Sequence, residues 1–225
     1  EFSLTSAAIS GENVEIGWTV ENGEKSDLDK ISVYLCESNN PEIVDGIYVG
    51  AITDEMTLKS GSASLPIPFD TQSGSYYIKT VAVMDEDLMD VSYSSQVTFT
   101  NSNQPPVPES VSVSNAGDYR LRAEVGDGAG DFDAYNVNVY EVSQEDEKLV
   151  YTQVSGVDAT FEKGQKLIVG GRYEIMQEQT EEDGNEESIP QYAGLEPGKT
   201  YAVGVSKVKY QRDDDENPTA QVLSQ

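Results

Sequence analysis

The chain has 225 residues, enough for one large or two ordinary domains, and its wealth of Val, Ser, Thr, Tyr and turn residues favours short strands over helices. Its net charge of −27 would repel nucleic acid and anionic membranes and attract cations or basic partners. Because the sequence has no histidine and only one cysteine, Cys36, it excludes Ser-His-Asp and Cys-His catalysis and an intrachain disulfide. It also lacks the residues of an ordinary zinc site.

The negative charge is spread along the whole chain. Residues 1–102 hold 17 acidic against 4 basic residues, and residues 103–225 hold 24 against 10. An acidic tail would concentrate the negative charge at one end of the chain. The even distribution instead predicts a solvated, self-repelling surface that keeps the protein in solution. Adaptation to high salt is an alternative reason for the same charge.

Alternating apolar residues predict a series of strands in the first half. Val14, Ile16 and Trp18 share one face of a half-buried strand, which makes Trp18 the expected central core aromatic. Ile31, Val33 and Leu35 then share one face of the next strand, with Tyr34 and Cys36 on the other. Further strands are predicted within 47–52, 56–68, 76–83 and 91–100.

A proline-rich joint divides the chain. Pro105, Pro106 and Pro108 lie within Asn101–Glu109, and such a run cannot sit inside a central strand. The predicted organisation is a sandwich over residues 1–102, a semi-rigid joint over 103–109 and a second sandwich over 110–225. The second sandwich carries an acidic insertion.

The second half repeats the plan of the first. Leu121, Ala123 and Val125 fall where the Trp18 strand fell, and Tyr135, Val137 and Val139 match Ile31, Val33 and Leu35. Strands are also predicted within 148–161, 167–177 and 220–223, and the very acidic run 180–188 is expected to form a loop.

A turn at Pro197-Gly198 leads into a predicted strand, which begins at Tyr201, ends at Val208 and has apolar residues at alternate positions. Aligning Tyr201 with Tyr76 places Val203 on Ile78, Val205 on Thr80 and Lys207 on Ala82. Each Tyr is expected to pack its ring in a core while its hydroxyl bonds nearby backbone.

These motifs resemble tandem fibronectin type III modules. The resemblance rests on Trp18, on the run Leu195–Tyr201 and on Pro105–Pro108, and it covers nearly the whole chain. It implies two consecutive all-β, immunoglobulin-like sandwiches. Val125 in place of a core Trp, and the lack of a Leu-x-Pro-Gly run before Tyr76, leave a generic immunoglobulin-like sandwich open as the alternative.

Each half is expected to gather two acidic loops at one pole of its sandwich. In the second half these loops contain Asp127, Asp131 and Asp133, and Asp213, Asp214, Asp215 and Glu216. In the first half they are residues 21–29 and 85–90. Carboxylates on Gly-containing loops suit Ca²⁺, so the loops of the second half form a hypothetical calcium site beside the proline joint; the alternative is ordinary solvated turns.

A second candidate surface is the outward sheet face of the first half. Tyr34, Tyr77 and Val81 could sit together there as a platform for a glycan or peptide, or as a contact with a neighbouring module.

The resemblance implies a non-catalytic structural or adhesive module, a spacer, in an exported or cell-surface bacterial protein. Its expected partners are the other modules of a larger parent protein. The alternative is a protein- or glycan-binding module that uses loops or an exposed sheet face, either alone or as an accessory to an enzyme. Neither interpretation involves membrane insertion, nucleic acid or a cofactor other than Ca²⁺.

Overall fold

The computed structural model describes residues 2–20, 28–40, 46–53, 60–84, 87–180 and 186–224, and at residues 84, 87–89, 172–180 and 186–193 it describes the backbone only. Every regular element in these ranges is a β-strand, which confirms the predicted all-β class. The chain divides into two compact units, Glu1–Gln104 and Pro105–Gln225, here called module one and module two. Within the described ranges, no helix has the length and hydropathy to cross a bilayer.

Module one is a sandwich of two antiparallel sheets. Its strands are β1 (Phe2–Ser10), β2 (Asn13–Val20), β3 (Lys30–Cys36), β4 (Ile47–Ile52), β5 (Ser60–Pro66), β6 (Gly74–Met84) and β7 (Asp87–Phe99). The sheets have the strand orders β1-β2-β5 and β4-β3-β6-β7. Alternate residues of β2, β3 and β6 meet in one hydrophobic cluster between the sheets, and Trp18 at its centre is 1% exposed. Trp18 is therefore the core aromatic that the sequence predicted.

Module two repeats this plan with additional strands. They are β8 (Ser110–Gly117), β9 (Arg120–Gly126), β10 (Ala134–Glu145), β11 (Lys148–Gln153), β12 (Ala159–Glu162), β13 (Leu167–Gly170), β14 (Arg172–Thr180), β15 (Glu186–Gly194), β16 (Thr200–Arg212) and β17 (Pro218–Leu223). One sheet has the order β13-β9-β8 and the other β11-β10-β16-β17, with β12 also paired to β10. Their facing side chains share a second hydrophobic cluster, so the two sheets form a second sandwich.

Two acidic segments differ from the sequence prediction. The run 180–188 is not a loop throughout, because β14 extends to Thr180 and β15 begins at Glu186, and the two strands form an antiparallel hairpin that pairs Ile175 with Gln191. The last strand of module one begins at Asp87 rather than Val91. In both places the backbone pairing with a neighbouring strand outweighs the charge of the local sequence.

The predicted tyrosine corners are present in both modules. The Tyr76 hydroxyl donates a hydrogen bond of 2.8 Å to the carbonyl oxygen of Gln72, and the Tyr201 hydroxyl accepts one of 2.8 Å from the backbone N–H of Glu196. Each bond ties the start of a long central strand to the turn before it. The positive φ of Gly198, 81°, closes the turn in module two.

Candidate functional site

The outward face of the four-stranded sheet in module one carries a row of three tyrosines and a lysine. Strand register places Tyr34 opposite Tyr48 on one side and opposite Lys79 on the other, and Lys79 lies opposite Tyr93. The row Tyr48–Tyr34–Lys79–Tyr93 therefore crosses all four strands, one residue from each. Side chains in such a row are close enough to touch.

The geometry of this tyrosine row is not flat. The ring centroids of Tyr34 and Tyr48 are 5.4 Å apart and their planes are inclined by 58°. The Lys79 ammonium nitrogen is 6.0 Å from the centroid of Tyr34 and 5.8 Å from that of Tyr93, within the range of cation–π attraction. Tyr48 is the most accessible member, with 54% of its surface exposed.

The two residues predicted for a ligand face, Tyr34 and Tyr77, share this outward face but are not paired. Tyr77 lies opposite Cys36 and Gln96, two residues along β6 from Lys79. It is thus a diagonal neighbour of Tyr34. Sequence reasoning missed Tyr48 and Tyr93, although the alternation Val91-Ser92-Tyr93 put Tyr93 on the same face as Val91.

Cys36 is buried on this face beside Tyr77. Burial raises the pKa of its thiol, and the charge of Lys79 offsets part of that increase. Because the thiolate is the reactive form, the thiol is neutral and unreactive at neutral pH.

The predicted calcium ligands of module two form two groups with different partners. Asp127 accepts a hydrogen bond from the Tyr135 hydroxyl through its carboxylate and one from the Lys207 ammonium through its backbone carbonyl. Asp131 and Asp133 both face Lys209, whose ammonium nitrogen is 2.7 Å and 3.5 Å from their oxygens. Hydrogen bonding by Lys209, followed by its charge, lowers the pKa of Asp131.

The second group, Asp213–Glu216, forms a self-contained turn. The Asp213 carboxylate accepts the backbone N–H groups of Asp215 at 3.0 Å and Asn217 at 2.8 Å. Asp214, the next residue along the chain, is exposed on the same turn. Across the described residues, no group of three or more His, Cys, Asp or Glu is arranged to hold a metal ion. The calcium site stays a prediction.

The acidic loops of module one lie mostly outside the described residues. Positions 21–27 and 85–86 are in that category, whereas Asp87–Asp90 begins β7. The described part of the proposed second loop is therefore strand.

Two surface grooves lie among the described residues of module two. One, of about 370 Å³, lies at the ends of β9 and β13 and is lined by residues that include Val125, Asp127, Tyr135 and Lys166. The other, of about 510 Å³, lies between the β8–β9 turn and the Pro197-Gly198 corner. At its rim the Lys199 ammonium contacts Glu141 at 3.0 Å and Glu196 at 3.3 Å.

No protein-family model matches the chain, and no curated protein does. Among solved structures, the chain is similar to the fibronectin(III)-like modules of Clostridium thermocellum CbhA, with 17% identity, a TM-score of 0.29 and coverage of 86% of this chain and 92% of that one. It is also similar to the FN1–FN3 domains of chicken CNTN1, with 11% identity, a TM-score of 0.30 and coverage of 99% and 64%. The strand orders, the shared register and the two tyrosine corners carry the fold assignment themselves: the chain folds as two consecutive fibronectin type III-like β-sandwiches.

Proposed function

We propose that the chain is a non-catalytic structural or adhesive module, a semi-rigid spacer, of an exported or cell-surface bacterial protein. The proposal rests on the observation that the joint residues are held in place on both sides. Residues on each side of the Gln104–Pro105 bond are held by hydrogen bonds or ring contacts to their own module. A spacer needs this property, because a flexible linker would not keep the neighbouring modules at a fixed separation.

The joint is fastened to module one by the side chains of Asn101 and Gln104. The Asn101 amide donates to the carbonyl oxygens of Phe69 and Thr71, both at 2.8 Å. The Gln104 side-chain oxygen accepts the backbone N–H of Ser73, also at 2.8 Å. Asn101 is 5% exposed, so its bonds face little competition from water.

On the module two side, proline and glycine pack against each other. A Cβ atom added to Gly130 would lie 2.6 Å from Cγ of Pro106, so the ring rests directly on that backbone, where φ is 115°. The backbone N–H of Glu109 donates to the carbonyl of Gly126 at 2.9 Å. Pro105, Pro106 and Pro108 each fix φ, which removes further freedom from this segment.

The composition is compatible with the proposed setting outside the cell. The net charge of −27 keeps such a module in solution, and a chain with a single cysteine is independent of disulfide formation. The expected partners are neighbouring modules of a larger parent protein.

The spacer role is testable by measuring the distance distribution between spin labels on the two modules. In a Cys36→Ala background, labels at Thr98→Cys and Lys148→Cys occupy exposed strand positions. The parent chain is expected to give a narrow distribution, and replacement of Pro105, Pro106 and Pro108 by Gly a broad one. A parent distribution as broad as that of the triple variant would contradict the proposal.

A second candidate function is ligand binding by the tyrosine row of module one. Its support is the row of three exposed or half-exposed aromatic rings, two of which, Tyr34 and Tyr93, lie within cation–π range of the Lys79 ammonium. Because the Tyr34 and Tyr48 planes are inclined by 58°, the surface suits a protein loop or a bent glycan better than a flat polysaccharide. Tyr34→Ala with Tyr48→Ala should then weaken attachment to candidate glycans and proteins, whereas Tyr151→Ala, at an exposed tyrosine of module two, should not.

A further inference from the structure

The outer edge of β11 is a regular strand edge without a neighbour. Among the described strands, the order β11-β10-β16-β17 gives β11 a partner on one side only. Its six pairs with β10 run without a register shift, and its sequence, Lys148–Gln153, contains no Pro or Gly and a single charge. Edge strands are usually protected by a bulge, a proline, several charges or a very short length, because a regular free edge attracts further strands. Of these features β11 has only the one lysine, at its first position.

The other described edge strands of the two sandwiches each have such a feature. Register shifts interrupt the pairing of β1, β4, β7, β8 and β17, β12 and β13 have four residues each, and β5 ends at Pro66. β11 is the exception among them. A function that requires a free edge explains why this strand alone is left unprotected.

Two large apolar side chains of β11 are open to solvent. Leu149 is 60% exposed and Tyr151 is 57% exposed, more than any other large hydrophobic residue in the described part of the chain. They lie two positions apart, so they share one face of the sheet, and the register places Tyr151 opposite the half-buried Val142 of β10. An apolar surface therefore extends across this face to the free edge.

The backbone groups of the same two residues point away from the sheet. The N–H of Val154 donates to the carbonyl oxygen of Val139 at 2.8 Å, which identifies these two residues as a hydrogen-bonded pair. Bonded and non-bonded pairs alternate in an antiparallel ladder, so the even-numbered residues of β11 continue the bonded pairs. The N–H and C=O groups of Leu149 and Tyr151 therefore face the open side of β11, where an added strand can bond to them.

A tight turn fixes β11 against β10. Asp146 and Glu147 have φ values of 45° and 66°, as a two-residue hairpin turn with positive φ at both positions requires. Pairing begins directly beside the turn, with Glu145 opposite Lys148. Because the edge is held in place before a partner binds, less conformational entropy is lost on binding.

Acidic residues lie at both ends of this edge. Between positions 141 and 162 the chain has six acidic residues and one basic residue, Lys148. Glu145, Asp146 and Glu147 lie at the turn before β11, and Asp158 follows the other end of the strand. The charge favours a basic partner and disfavours a second copy of a chain whose net charge is −27.

We propose that β11 binds an extended, basic segment of another protein, which adds to the sheet as a further antiparallel strand. Its alternate apolar side chains lie opposite Leu149 and Tyr151, and its basic residues lie at its ends, beside the acidic turn and Asp158. The proposal goes beyond the spacer function. It does not involve the tyrosine row of module one, so a ligand of that row should be insensitive to changes in β11.

The proposal is tested on the intact chain by following amide resonances while the capped peptide Lys-Lys-Val-Thr-Val-Thr-Val-Lys-Lys is added. We expect shifts at residues 148–153 and slower hydrogen exchange of the Leu149 and Tyr151 N–H groups, because these groups become hydrogen-bonded. The absence of both changes, or shifts confined to other strands, would overturn the proposal.

Two control peptides separate backbone pairing from simple contact. The same peptide N-methylated at its three valines has the same charge but cannot donate the pairing hydrogen bonds, so it should bind at least about tenfold more weakly. A peptide with Glu in place of every Lys should also bind at least about tenfold more weakly at low ionic strength, and salt should narrow that difference. Equal binding of either control peptide and the basic peptide would contradict the proposal.

Tyr151→Lys is the decisive variant of the chain. It removes the exposed ring and repels the lysines of the peptide, so binding should weaken at least about tenfold. Its thermal midpoint should stay close to that of the parent, because the side chain is exposed. Val113→Lys makes the same change of charge at a 44% exposed position of β8, the edge strand of the opposite sheet, and should leave binding unchanged. An equal loss in the two variants would overturn the proposal, since it would reflect charge and not the edge of β11.

Sedimentation of the chain without peptide distinguishes a basic partner from a second copy. We expect a monomer at every concentration, because the net charge of −27 opposes pairing of two identical edges. A dimer that Tyr151→Lys dissociates would overturn the proposal in favour of strand pairing between two copies of the chain.

Discussion

Modules one and two pair their central strands in the same register, but the side chains at one end of the core differ between them. Leu35 opposite Ile78 in module one corresponds to Val139 opposite Val203 in module two. Four residues further along β6, however, Ala82 lies opposite Ile31, and the corresponding pair in module two is Lys207 opposite Tyr135. The backbone plan is thus repeated more faithfully than the side chains.

The difference follows from the missing tryptophan. Module one has Trp18 in its core, and a small residue suffices at Ala82. Module two has Val125 instead and fills its core with Tyr135, Phe132 and the stem of Lys207, whose ammonium lies 5.0 Å from the Phe132 centroid. Lys207 is fully buried and donates to the Asp127 carbonyl. A sandwich can therefore recover core volume from another strand when its main aromatic is absent.

The largest difference in stability between the two modules is expected when Trp18 is replaced. Trp18→Ala should reduce the free energy of unfolding of module one by about 3–5 kcal/mol, because it leaves a large cavity in a closed core. Val125→Ala, at the corresponding half-buried position, should cost module two only about 1 kcal/mol. Amide hydrogen exchange in increasing urea measures the two modules separately. Equal costs would show that the two positions are not different in packing.

The next largest effect is expected at Lys207. Lys207→Ala should destabilise module two by about 2–4 kcal/mol, because the buried methylene stem is lost together with the ammonium contacts. Lys207→Met keeps the stem and should recover most of that loss. Chemical denaturation of the intact chain, read by exchange in module two, gives both values. If Met is as damaging as Ala, the ammonium rather than the stem holds this part of the core.

The tyrosine corners should give smaller and more similar effects. Tyr76→Phe should cost module one about 1 kcal/mol, since it removes the bond to the Gln72 carbonyl. Tyr201→Phe should cost module two somewhat less, because the Glu196 N–H is exposed and water can replace the hydroxyl. Thermal denaturation measures both, with Tyr151→Phe, at an exposed ring, as the control without effect. If Tyr76→Phe leaves the stability of module one unchanged, the hydrogen bond of the Tyr76 hydroxyl does not contribute to that stability.

The smallest difference is expected in alkaline solution. Burial raises the pKa of both Tyr76 and Tyr135, and in module two the hydrogen bond to Asp127 raises that of Tyr135 further. A raised pKa means that the stability from the neutral hydroxyl is fully present below the ordinary tyrosine value of 10.0 and is lost as pH rises through the folded-state value. Module two should therefore lose more stability above about pH 10. Melting curves between about pH 8 and 11.5 test this, and Tyr135→Phe should flatten the difference.

Much of the fold could be predicted from the sequence because it depends on local alternation. Val14, Ile16 and Trp18 show a period of two that only a half-buried strand satisfies, and the two tyrosines mark equivalent strand starts. The tyrosine row could be predicted only in part. Tyr48 reaches Tyr34 through a register shift between Val33 and Tyr34 that no local pattern reveals.

The contacts of the acidic residues could not be predicted from the sequence either. Lys209 is 78 positions from Asp131, and the strand that brings it there is identified only by its pairing. Charge density predicted a cation at these loops, and the structure shows that a lysine of the same module already sits beside two of the carboxylates. Composition alone does not separate these outcomes.

The anchoring of Asn101 has a mechanical consequence. A pulling force on the chain would reach the corner before β6 through the two bonds from the Asn101 amide, so it would load the interior of the sandwich and not only its last strand. Such a load is shared among several hydrogen bonds that must fail together. Under tension, this end of module one should behave as a clamp, and Asn101→Ala should let the last strand peel away at lower force.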